Sequence, residues 1–275
     1  GVLTDLAAAK PFIDEAIERA DHLGNPLLQS WSASQHAIWC GFSGQLPEAE
    51  RWASVADRHL EQVGEGLGPA GVGILHRSVI RSSTIYAQSY ARAQVGEHLD
   101  WIESLPALSA RSVAAGYLVT PAMIEVIHGA QMTYLGRFEE AEASLARGRA
   151  INERAGTEAA GVSGACFWTD LALAYGDLDE AKRRLATTDG SMIAARSIHA
   201  RSRIAKRRAA FALLDGEPLE AERLAHEGLA LVAEQGIPLE TFEQLEVLAQ
   251  VAAATGAPEE AARIAGSVCA IRTRH

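Results

Sequence analysis

Gly66-Leu67-Gly68-Pro69-Ala70-Gly71 has the G-x-G-x-x-G spacing with which a backbone closes on a pyrophosphate. That chemistry needs a strand before the motif and a helix N-terminus after it. Here a helical pattern precedes it and no strand pattern is near, so the residues read as a loop between repeats. No G-x-x-x-x-G-K-S/T and no G-x-S-x-G occurs, which removes the ordinary P-loop and the nucleophile elbow. The nine histidines lack H-x-x-x-H spacing, and Cys40, Cys166 and Cys269 lie too far apart for a ligand set, so neither a metal nor another cofactor is expected. Glu139-Glu140 and Glu259-Glu260 are paired acids, but each pair stands at a helix start, where carboxylates complement the positive end of the dipole. No catalytic constellation converges, and the chain reads as non-enzymatic.

One run of residues does carry concentrated charge. Arg196, Arg201, Arg203, Lys206, Arg207 and Arg208 follow one another with no acid between Ser191 and Leu214. Such a run can hold an anionic ligand, a nucleotide or an acidic partner surface. Alternatively, it pairs with acids of neighbouring helices, with Glu220, Glu222, Glu240, Glu243 and Glu246 as candidates. Both readings stand at this point.

The composition favours helices as the carriers of these residues. Hydrophobic residues make up 48% of the 275 and aromatic ones only 6%, so alanine and leucine carry much of the apolar content. A net charge of −10 argues against direct nucleic-acid contact, which needs clustered cations over a wide surface. No apolar run approaches membrane length and no basic-then-apolar leader opens the chain. With three distant cysteines, expected to be buried and reduced, these features point to a cytoplasmic protein.

Gly136-Arg137-Phe138-Glu139-Glu140-Ala141-Glu142 recurs at a fixed interval. Gly176, Gly216 and Gly256 open its copies in steps of 40, with Ala181, Ala221 and Ala261 in the place of Ala141. Gly96 keeps the glycine alone, and Gly44 opens a copy 52 residues before it. Gly24, Gly64, Gly116, Gly156 and Gly236 form a second ladder midway between. A glycine about every 20 residues marks one helix plus its turn, each glycine serving as a left-handed cap. The chain is therefore read as one domain, residues 1–275, of helix pairs, with residues 64–73 as a Gly-rich insertion accounting for the longer interval. Helices are expected over 5–23, 26–42, 47–63, 74–95, 118–135, 138–155, 158–175, 191–214, 218–235, 238–255 and 258–272, with a short one after Leu178 and one split at Pro106. The ladder is cut at both ends, and Gly1 is not a methionine, so a piece of a longer chain is expected. The 5–23 helix then lacks its pair partner, and its apolar residues Phe12 and Ile13 are expected to drive self-association.

The G-x-φ-x-E-A pattern, followed by small residues as in Ala141, Leu145 and Gly148, resembles the tetratricopeptide repeat. Ala221, Ala225 and Gly228 match in the same way, with upstream small residues at Ala37, Gly129, Thr169, Ala209 and Ala249. The period of 40 departs from that family's 34, and most of its aromatic positions are lost. Lengthened repeats of this kind, and the tail from Gly256 to His275, are similar to the helical-repeat region of large ATP-dependent LuxR-type transcriptional regulators of the maltose-activator class. The resemblance implies an all-α, right-handed α-solenoid of about six helix pairs. It also implies a sensor and interaction region for a small-molecule effector or a protein partner, with ATPase and DNA-binding modules elsewhere in the parent chain. A stand-alone peptide- or protein-binding scaffold with no part in transcription is the alternative.

In stacks of this type the first helix of each pair lines the binding surface. Phasing from each glycine places Trp31, Ser34, Ser83, Tyr86, Tyr90, Ser163, Asp170, Arg203, Lys206, Glu243, Glu246 and Gln250 on that surface. Cys166 falls there too, at a tight position that suits packing. The aromatics have a second reading as groove fillers between helices.

Overall fold

The computed structural model describes residues 6–63, 80, 83–84, 102–114, 116–156, 158–233 and 238–272. Among these residues all regular structure is helical. The Gly66–Gly71 motif, most of the expected 74–95 helix, Tyr86 and Tyr90 lie outside them.

The helices are α1 (Leu6–Leu23), α2 (Pro26–Phe42), α3 (Leu46–Gln62), α4 (Leu105–Ala114), α5 (Val119–Tyr134), α6 (Phe138–Ala155) and α7 (Glu158–Ala174). After these come α8 (Leu178–Ala186), α9 (Met192–Arg196), α10 (Ile198–Leu214), α11 (Pro218–Ala233), α12 (Pro238–Ala254) and α13 (Pro258–Arg272). They form two compact units, residues 6–160 and 161–272. In the first unit α2 packs on α1 and α3, and α5 on α4 and α6. In the second, α7, α8 and α10 share a core of Val162, Cys166, Ala181, Leu185, Ile204 and Phe211. There α11 packs on α10, α12 on α11 and α13 on α12, while α10 also touches α12 directly.

Among the described residues, the glycines of the first ladder make one recurring turn. Gly136 donates its N–H to the Thr133 carbonyl at 3.1 Å while Arg137 donates to Met132 at 2.8 Å. The same two bonds recur at Gly176 and Asp177, at Gly216 and Glu217, at Gly256 and Ala257, and at Gly44 and Gln45. This is the Schellman arrangement, which satisfies two carbonyls at the end of a helix. It requires a left-handed residue, and Gly136 sits at φ 73°. The alanines in the helix after each turn do the packing: Ala49, Ala141, Ala181 and Ala221 are all wholly buried. At those positions two backbones come close enough that a longer side chain would force them apart.

Four expectations need correction. The helix expected over 191–214 is two helices, because Ser197 adopts an extended conformation (φ −77°, ψ 120°) and its hydroxyl accepts the Ala200 N–H, capping α10. Ile13 is not exposed: it is 7% accessible and packs inward, leaving Phe12, at 73%, and Leu23 as exposed large apolar side chains of α1. Cys269 is exposed, while Cys40 and Cys166 are buried as expected. Pro106 does not split a helix; it occupies the first turn of α4, where its missing N–H costs nothing.

Candidate functional site

The basic helix α10 divides its charge between two flanks. Arg203, Lys206 and Arg207 face the other first helices of the second unit, α7 and α12. Arg207 is wholly buried and its guanidinium is fully engaged. It donates from Nε to the Cys166 carbonyl at 2.8 Å, from one Nη to the Arg203 carbonyl at 2.9 Å, and from the other to the Asp170 carboxylate. The centroid of the Phe167 ring lies 5.7 Å from it and 5.6 Å from the Arg203 guanidinium, so both cations contact one aromatic ring. On the α12 side, Lys206 pairs with Glu243 at 3.3 Å and Arg203 with Glu240 at 3.5 Å. His199 Nδ1 lies 2.8 Å from the same Glu240 oxygen. Gln244 completes the junction, donating from Nε2 to the Ser202 carbonyl at 2.8 Å and to its hydroxyl at 2.9 Å.

These contacts form an ionic seam across three helices, with Arg203, Lys206 and Arg207 set against Asp170, Glu240 and Glu243. Four of the side chains are only partly covered: Arg203 is 13%, Glu243 15%, Asp170 16% and Lys206 21% accessible. Burial alone would raise the Glu243 carboxyl, but Lys206, Arg203 and Arg207 outweigh it and hold it below the usual carboxylate range. The seam is thus ionised, mutually paired and half open to solvent.

Of the positions phased from the glycines, Asp170, Arg203, Lys206 and Glu243 meet in this seam. Glu246 and Ser163 are half-buried on the same helices and Gln250 is exposed. Ser34 is buried with its hydroxyl donating to the Trp31 carbonyl at 2.7 Å, Trp31 is half-buried, and Ser83 is buried. The pairing reading of the basic run holds for Glu240 and Glu243. Glu220 instead pairs with Arg223 inside α11, and Glu222 with His226. Arg207, His199, Glu240 and Gln244 are members that phasing did not select. The acid-free run was the available signal for Arg207, but sequence does not say which cation of the run turns inward.

A second polar network lies in the first unit. The Ser144 hydroxyl is 2.7 Å from His128 Nδ1, Arg147 donates to that hydroxyl at 2.7 Å, and Arg147 Nε donates to Glu125 at 3.0 Å. A serine beside a histidine at this distance has nucleophile-and-base geometry. Ser144 is wholly buried, however, so no substrate carbonyl reaches its oxygen. The Ser144 hydroxyl also hydrogen-bonds the Glu125 carboxylate, so His128, Arg147 and Glu125 all meet on this one oxygen. Burial lowers the His128 pKa, and burial raises that of Glu125 against the pull of Arg147. The network clamps α5 to α6. Among the described residues no cluster of histidine, cysteine and carboxylate side chains is arranged to hold a metal ion.

No family model matches this chain, and no curated protein matches it in sequence. No described helix is long and apolar enough to cross a membrane.

Proposed function

We propose that this chain is a non-catalytic sensor and interaction domain, built as a tetratricopeptide-like α-solenoid, from a cytoplasmic LuxR-type transcriptional regulator. It takes an effector or a protein partner on the face made by the first helices of its pairs. The observation that carries the reading is the convergence of Asp170, Arg203, Lys206 and Glu243, from three helices, on one half-open seam. Support for the regulator class comes from the repeated G-x-φ-x-E-A turns and the Gly256–His275 tail.

The seam suits such a role physically. Each charge already has a partner, so an incoming polar group exchanges one pairing for another instead of stranding a buried charge. Exchange on one side of α10 alters how α10 sits on α7 or α12. A ligand that favours one setting over another shifts the equilibrium by its differential affinity. The parent protein's affinity for its own promoter, measured by fluorescence anisotropy with and without the charge swap Lys206→Glu/Glu243→Lys, tests this. Effector- or partner-dependent DNA affinity that the swap abolishes, with basal DNA binding kept, is the expected result. A parent chain that does not bind DNA overturns the regulator reading and leaves the peptide-binding scaffold.

A further inference from the structure

The opposite flank of α10 faces a cleft that the seam does not reach. Elsewhere in the second unit the turns after α7, α10 and α12 are a few residues long, but α8 and α10 are joined by residues 187–197. This connection is tied down at intervals. The buried Thr188 hydroxyl donates to the Leu185 carbonyl at 2.7 Å, and Ser191 and Ser197 cap the helices that follow them. Between it and helices α10 and α11 lies a cleft of about 340 Å³. Ile204 and Ala205 of α10 and Leu224 and Leu231 of α11 make its apolar lining, and Met192, half exposed, stands on the connection.

Four charged side chains line this cleft: Arg201, Arg208, Asp189 and Glu227. Arg208 is 3.3 Å from Asp189, and Glu227 is held at 3.1 Å by Arg223, which lies outside the lining. Arg201, exposed and part of the lining, forms no ion pair among the described residues. One guanidinium therefore remains without an ion-pair partner in the lining of a cleft that is about half apolar. Convergence of a few polar groups on an apolar concavity is the general form of a small-ligand site, and this volume is near the low end of the usual range.

We propose that the cleft binds a small organic carboxylate with an unbranched apolar tail. Its head group sits on Arg201 and its tail lies along Ile204, Leu224 and Met192. A single guanidinium fork matches one carboxylate in bidentate fashion. A phosphate carries a second negative charge that Arg201 alone does not offset, since Arg208 is already paired with Asp189. The assignment does not rest on the regulator reading, because it uses Arg201 and Ile204 and not the seam residues of α10.

Octanoate is the probe, titrated calorimetrically into the whole chain, with octanol as its uncharged counterpart. Octanoate is expected to saturate one site and to shift the Met192 methyl resonance. Arg201→Gln is expected to weaken it on the order of tenfold, as loss of a hydrogen bond to a charged group does. Octanol should bind less tightly than octanoate to the wild type and equally to both proteins. Ala195→Phe, which fills the cleft from an exposed position, should abolish binding, and Lys206→Gln in the seam should leave it unchanged. Circular dichroism of each variant separates lost binding from lost fold. No saturable binding by the wild type, equal octanoate affinity in a folded Arg201→Gln variant, or a loss in Lys206→Gln overturns the proposal. None of these results bears on whether the parent chain binds DNA.

Discussion

Arg207 on α10 and Asp170 on α7 form a pair in which the cation is almost completely buried and the carboxylate keeps an edge in solvent. The two lie 37 residues apart, close to one repeat, so the contact joins successive first helices. Removing one partner of such a pair leaves the other without compensation. Arg207→Met strands Asp170 and frees the Cys166 carbonyl as well. A loss of about 3 kcal/mol or more is expected in urea unfolding. Lys206→Met, which unpairs a half-open contact, should cost about 1 kcal/mol. Equal losses would mean that the seam does not have the buried end and the open end described above.

The repeat turns were legible in the sequence because glycine is needed at one point in each, and a left-handed cap admits few other residues. Gly136 and Gly176 therefore act as rulers that also located the buried alanines. The break at Ser197 was not legible: serine is tolerated within a helix, and only the extended backbone found here makes it a cap. The seam was half legible. Phasing selected Arg203 and Lys206, which lie in the seam, but not Arg207, one residue on and the most buried cation of the run. What draws it inward is the Cys166 carbonyl and the Phe167 face on another helix, and a single sequence carries no sign of either.

Acid should weaken the first unit through its histidines. Burial lowers the pKa of His36 and of His128 from the ordinary 6.5, so the unfolded chain binds protons more readily at both sites. Stability is then complete above about pH 6.5 and is lost as the pH falls toward the folded values. Glu125 acts in the opposite sense. Burial raises its folded pKa above 4.5, so below the raised value the folded chain takes up a proton and gains relative to the unfolded one. Urea midpoints between pH 4.5 and 7 should accordingly fall more steeply on acidification in Glu125→Gln than in the wild type, and less steeply in His128→Gln. Identical slopes in all three proteins would remove both groups from the account.

The three thiols should separate by rate. Burial pushes the Cys40 thiol up to about 12, and Cys166 is raised for the same reason. Thiolate is the reactive form, so neither residue offers much nucleophile at neutral pH, and both are sealed from reagent. Cys269, exposed near the end of α13, should react at once with an aromatic disulfide reagent. One equivalent of thiol in the native protein and three in urea is the expected titration. Rapid modification of Cys166 would contradict the packing that brings Arg207 onto its carbonyl.

Two glycines within helices should respond in opposite directions to the same substitution. A Cβ on Gly129 would stand 2.6 Å from Leu145 Cγ and 3.1 Å from the Ala141 carbonyl, at the closest approach of α5 to α6. Leu145 is itself buried, and its branch point is not a free end that can swing away. Gly129→Ala gains helix propensity of about 1 kcal/mol. Overpacking of a filled core costs about 1–3 kcal/mol, so the net effect should be a loss. A Cβ on Gly266 in α13 meets no atom within 4 Å, so there the propensity gain stands alone. Gly266→Ala should raise the unfolding midpoint and Gly129→Ala should lower it. A smaller cost of Gly129→Ala in a Leu145→Ala background, which lacks the Cγ the new methyl would strike, would tie the cost to that one contact. A Gly129→Ala protein as stable as the wild type would show that α5 and α6 are not in contact there.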